Sequence, residues 1–76
     1  MPTLFMFGNL KIRMFADDHN PPHFRILTPE HEALVRIADL AVLAGSIDRR
    51  SYDLACRWAL ENRELLEREW RRFNER

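Results

Sequence analysis

The chain holds a single cysteine, two glycines and no surplus of either charge in its 76 residues. Cys56 alone closes no internal disulfide, so nothing points to a secreted, stapled scaffold. No apolar run approaches the roughly 20 residues that a membrane span requires. The N-terminus lacks the charged head, apolar body and cleavage site of a signal peptide. The expectation is a soluble cytoplasmic protein with no membrane partner. Twelve basic side chains face twelve acidic ones, so the basic excess typical of nucleic-acid binders is missing. Basic doublets remain at Arg49-Arg50 and Arg71-Arg72, and nucleic acid stays a partner class that the net charge does not favour. Lysine is nearly absent: eleven of the twelve basic residues are Arg, the side chain suited to bidentate ion pairs. There is no internal repeat, low-complexity tract or linker.

What is present is a small domain rich in aromatics: two Trp, five Phe and one Tyr. A chain this short buries only about 60% of the surface its unfolded form exposes, and pairing with another chain is a usual remedy. Thr3 to Phe7 and Leu10 to Phe15 are β-favouring runs. Leu10, Ile12 and Met14 alternate with Lys11 and Arg13, which sets one face in and one out. Gly8-Asn9 between them suits a type II′ hairpin turn. Extended structure resumes at His23 to Leu27, with Phe24 and Ile26 on one face and His23, Arg25 and Leu27 on the other. Thr28 to Glu32 reads as a turn broken by Pro29. Ala33, Val35 and Ile37 point inward from a further strand. Asp39 to Gly45 reads either as a short strand at Ala41-Val42-Leu43 or as one helical turn, closed by Gly45.

From about Asp48 the period changes. Leu54, Trp58, Leu65, Leu66 and Phe73 share a band of the helical wheel, with Ala55, Asn62 and Trp70 near its edges. Asp48, or Ser46 before it, suits the N-cap. Acids precede bases by four at Asp53/Arg57, Glu64/Arg68 and Glu67/Arg71. No Gly or Pro interrupts residues 49 to 76, which predicts one helix of about six to seven turns. Strands first and helix last is the α+β pattern. The expected fold is a single domain over 1–76: a β-rich part over 1–45, with an antiparallel sheet of 3–5 strands begun by the N-terminal hairpin, packed against one long C-terminal helix over 46–76.

The stretch Asp17-Asp18-His19-Asn20-Pro21-Pro22-His23-Phe24 concentrates the chemistry. Neither proline donates an N–H, so the stretch breaks the ladder between two strands, and Asn20-Pro21 or Pro21-Pro22 could be cis. Together with the N-terminal Met-Pro-Thr, the Phe7-Gly8 pair, Gly45 and a late helix carrying Trp58 and Trp70, this octapeptide resembles the small bacterial and archaeal family catalogued as domain of unknown function 4160. The resemblance spans nearly the whole chain. It implies a short single-domain protein, encoded near genes of another small family, with some members counted as candidate toxin–antitoxin components. It implies no activity. The family pattern usually continues His-Phe-His, and this chain has Arg25 at the last position.

Three readings of the stretch compete. Asp17, Asp18, His19 and His23 could hold a divalent metal such as zinc or manganese, although the double proline separates the two imidazoles and Arg25 opposes a cation. His19 or His23, oriented by a carboxylate, could act as a general base. Arg25 would then hold developing negative charge, as in a metal-independent ribonuclease-like toxin. The third reading is structural: a carboxylate caps backbone N–H groups and the prolines stiffen a turn. Trp70 and Phe73, if exposed, would anchor a partner. Cys56 reads as a small apolar side chain and not a nucleophile, and His31 as exposed. The resulting expectation is a protein-interaction module, working through a protein partner or as a homo-oligomer.

Overall fold

The computed structural model describes residues 3–15 and 21–74. Five antiparallel strands run in sequence order across one sheet: β1 Thr3–Phe7, β2 Leu10–Arg13, β3 His23–Leu27, β4 Glu32–Arg36 and β5 Val42–Ser46. Two helices follow, α1 Arg49–Glu61 and α2 Arg63–Asn74. The β1–β2 hairpin turns at Gly8, whose φ is +58°, while Asn9 keeps a negative φ. That is the combination a type II′ turn requires.

The alternation read from the sequence sets the layers. Leu10, Ile12 and Met14, then Phe24 and Ile26, then Ala33, Val35 and Ile37 are all buried. Their face is covered by Ala55 and Ala59 of α1 and by Leu66 and Trp70 of α2. Phe5 of β1 stacks on Trp58, ring centroids 5.0 Å apart. Complete burial of a side chain such as Phe24 contributes roughly 2–3 kcal/mol. Leu66, and not Leu65, takes the fully buried position on α2.

The single long helix is corrected to two. In an unbroken helix the Asn62 N–H would donate to the Trp58 carbonyl. Instead the Asn62 side-chain Nδ2 donates to Trp58 O at 2.9 Å, and the backbone N–H moves to Ala59 O at 3.2 Å. The side chain competes with its own backbone, which turns Asn62 out of helical geometry (φ −126°, ψ 29°). The Asn62 carbonyl then starts α2 by accepting from Leu66 N–H. Asp48 is the N-cap of α1, its carboxylate accepting from Ser51 N–H at 3.0 Å. None of the three expected acid–base pairs closes among the described residues. Asp53 pairs back to Arg49, and Glu69 pairs with Arg72. Exposed pairs of this kind contribute little either way.

The ambiguous stretch resolves into a tight turn followed by β5. Leu40 sits at φ +63°, a conformation costing a non-glycine residue about 1–2 kcal/mol. It is held there by Leu40 N–H donating to Arg36 O at 2.8 Å and by the Tyr52 hydroxyl donating to Leu40 O at 2.6 Å. Gly45 lies inside β5 and does not close it. Its φ is +79°, and a Cβ there would overlap the Glu32 carbonyl oxygen. Gly8 has a positive φ too, but open space around it. Gly45→Ala should therefore lower unfolding free energy in urea by about 3 kcal/mol, strain plus overlap. Gly8→Ala should cost only about 1 kcal/mol, strain alone. Equal losses at the two positions would contradict the close approach of β4 to β5.

Candidate functional site

Pro21 and Pro22 lead into β3 and tie it to the β4–β5 turn, because Pro22 O accepts from Ile37 N–H at 3.0 Å. His23, the first residue of β3, is 6% exposed. Its Nδ1 lies 2.8 Å from Pro21 O. A carbonyl oxygen only accepts, so Nδ1 carries the hydrogen of that bond. The ring rests against Trp70 of α2, centroids 5.0 Å apart and tilted by 52°, a geometry favourable for aromatic pairs.

Arg25 goes elsewhere. Its guanidinium lies 4.4 Å from the centre of the Phe15 ring and donates to Glu32 Oε2 at 3.0 Å. Phe15 and Glu32 belong to the sheet face turned away from the helices, by alternation with buried Met14 and Ala33. The shared strand face expected for His23 and Arg25 is thus corrected. Among the described residues the β2–β3 register runs from Lys11↔Leu27 to Arg13↔Arg25, and His23 pairs with Arg36 of β4. The imidazole meets Trp70 of α2, whereas the Arg25 guanidinium meets Phe15.

The other residues of the stretch, Asp17, Asp18 and His19, lie outside the described residues, as does Asn20. Among the described residues no three His, Cys, Asp or Glu side chains gather as a metal site would require. Trp70 is 5% exposed and Phe73 is half-buried against the core, so the exposure on which their partner role depended is absent from Trp70. Cys56 is half-buried and burial pushes its thiol pKa up, which keeps it un-ionised and a poor nucleophile. His31 is exposed, its N–H donating to Thr28 Oγ1.

The shortest ion pair among the described residues lies beside this junction. Arg36 Nε and Nη2 donate to the two carboxylate oxygens of Asp39, both at 2.8 Å, and Ala41 N–H donates to the same carboxylate at 3.1 Å. The guanidinium, and then the amide, hold the Asp39 carboxyl down at about 2.

The family model described as a domain of unknown function, DUF4160, matches residues 9–71. The chain belongs to this family. No curated protein and no solved structure matches it. In this DUF4160 member the match runs from the β1–β2 turn through most of α2, and so includes the Pro21–His23 junction, the Arg36–Asp39 pair and Trp70. Among the described residues no helix is long and apolar enough to cross a membrane.

Sequence reasoning missed the role of Arg36, Arg63 and Arg71, which the fold brings around Pro21 and Pro22. A signal existed in part: Arg63, Glu67, Trp70 and Arg71 recur at the spacing of one helix face.

Two outcomes test this geometry. His23→Ala should lower unfolding free energy by about 2 kcal/mol, since it removes a buried ring and its hydrogen bond; unchanged stability would place the imidazole outside the core. Asp39, with its folded pKa below the ordinary 3.8, stabilises the fold above that ordinary value and loses this as pH falls towards about 2. A carboxyl NMR titration should find its midpoint near 2, and Arg36→Gln should raise that midpoint towards 3.8.

Proposed function

We propose that this chain is a small prokaryotic protein-interaction module that associates through the edges of its sheet, with a second copy of itself or with an operon partner in a toxin–antitoxin-like pair. The observation that carries the reading is the distribution of charge and apolar surface across the sheet. The inner strands β2, β3 and β4 hold Lys11, Arg13, Arg25, Glu32 and Arg36, while the edge strands β1 (Thr-Leu-Phe-Met-Phe) and β5 (Val-Leu-Ala-Gly-Ser) hold no charge at all. Met6 and Phe7 on β1 are each 58% exposed, Val42 and Leu43 on β5 are 45% and 38% exposed, and among the described residues Leu60 on α1 is the other large exposed apolar side chain.

Monomeric sheet proteins usually guard their edges with lysine, proline or inward charge. Here a register shift near Phe5 and another at Leu43 bend the two edges, and no charge is added. An edge with unpaired N–H and C=O groups beside exposed apolar side chains is the surface that strand addition uses. Zero net charge adds no long-range repulsion between copies.

Sedimentation of the unmodified chain at about 100 µM should reveal a dimer or larger species, or a complex with the product of the neighbouring gene. Met6→Lys or Leu43→Lys should weaken that association at least about tenfold, and the more effective substitution identifies the edge in use. A clean monomer that also fails to bind the neighbouring gene product would remove the proposal.

A further inference from the structure

A cavity of about 530 Å³ lies between the Pro21–Pro22 turn, the beginning of the β4–β5 turn and one face of α2. That volume is within the range of small-molecule sites. Arg63, Glu67, Trp70 and Arg71 line it from the helix, and Arg36 from the end of β4. Among the described residues three Arg and one Glu line it, and since Asp39 already neutralises Arg36, the lining keeps two cations, Arg63 and Arg71, beside Glu67.

The three cations differ in what they have left to give. Arg36 spends Nε and Nη2 on Asp39. Arg63 donates Nη2 to Ala38 O at 3.2 Å, which fixes its stem beside the turn. Among the described residues Arg71 makes no hydrogen bond or ion pair, although Glu67 lies one turn before it on the same face. A planar fork with unspent donors matches the paired oxygens of a phosphate or a carboxylate. The remaining wall is apolar: Pro21, Pro22 and Ile37, with Trp70.

We infer that this cavity binds a nucleoside monophosphate, with Arg71 and Arg63 on the phosphate and the base against the proline wall. Glu67 gives the choice of ligand a direction. A carboxylate accepts hydrogen bonds from sugar hydroxyls or an exocyclic amine, and it opposes a bare or highly charged anion. The ligand class is thus an anion at one end and a neutral, hydrogen-bonding body at the other. Neither sheet edge takes part, so this site stands or falls separately from association.

The two indole N–H signals in a ¹H–¹⁵N spectrum provide the readout. Trp70 lines the cavity, whereas Trp58 is stacked on Phe5 and serves as the internal control. Titration with adenosine monophosphate should shift the Trp70 signal to saturation with Kd of about 1 mM or below, leave Trp58 in place, and find no saturation with adenosine. Arg71→Gln, which breaks no bond of the fold, should weaken binding about tenfold. Glu67→Gln should tighten the phosphate contact about twofold to threefold, by removing the opposing charge. The inference is overturned if adenosine and its monophosphate behave alike, if the monophosphate fails to saturate by about 10 mM, or if Arg71→Gln binds as well as the unmodified chain.

Discussion

One apolar sheet face has to be covered by very few helical residues, and the rest of the molecule follows from that. Five strands span about 24 Å at ordinary strand spacing. A straight helix over residues 49–74 would be about 39 Å long, more than the 35 Å of the molecule's longest dimension. Such a rod would leave one end hanging in water. The break at Asn62 divides it into two shorter helices, and both keep their apolar stripes on Ile12, Phe24, Ile26 and Val35. The cost of the break is small, because the Asn62 amide takes the Trp58 carbonyl that its own N–H leaves.

Covering that face consumes the buried aromatic surface of the helices. Trp70 is used on His23 and the core, and Trp58 on Phe5. What the helices do not reach is the perimeter. β1 and β5 are left with exposed Met, Phe, Val and Leu and no charged residue, while the central strands carry the ions. The arrangement, charged centre and neutral rim, leaves both edges without the charges that commonly guard a sheet edge.

The junction at Pro21, Pro22 and His23 joins the layers. Pro22 O holds Ile37, the His23 imidazole bonds back to Pro21 and packs on Trp70, and the Arg36–Asp39 pair closes the adjoining turn. Prolines at the start of a strand limit the conformations available to the unfolded chain, so the turn is well suited to hold a rigid wall. The cavity beside it inherits that rigidity. The His23 ring packs on Trp70 and bonds back to the Pro21 carbonyl, which ties the start of β3 to α2.

Local period carried the strand faces. Leu10, Ile12 and Met14, Phe24 and Ile26, and Ala33, Val35 and Ile37 were legible as inward sets because alternation depends only on neighbours in the chain. The helical band was legible for the same reason, and so was the Asp48 cap. The break was not: Asn62 falls at the edge of the apolar band, and its wheel position is the same in one helix or two. Nor was the divergence of His23 from Arg25, since that depends on how closely α2 approaches.

The sequence alone therefore determined the class of the fold, the inward faces, the family and the absence of charge from residues 40–47. Tertiary structure alone decided that the helix breaks, that Trp70 is spent on the core, and that Arg36 meets Arg63 and Arg71 around a cavity. The dividing line is physical. Backbone period and capping act within a few residues, so they are written in order along the chain, whereas the meeting of a strand end with a distant helix face depends on how all the layers pack at once.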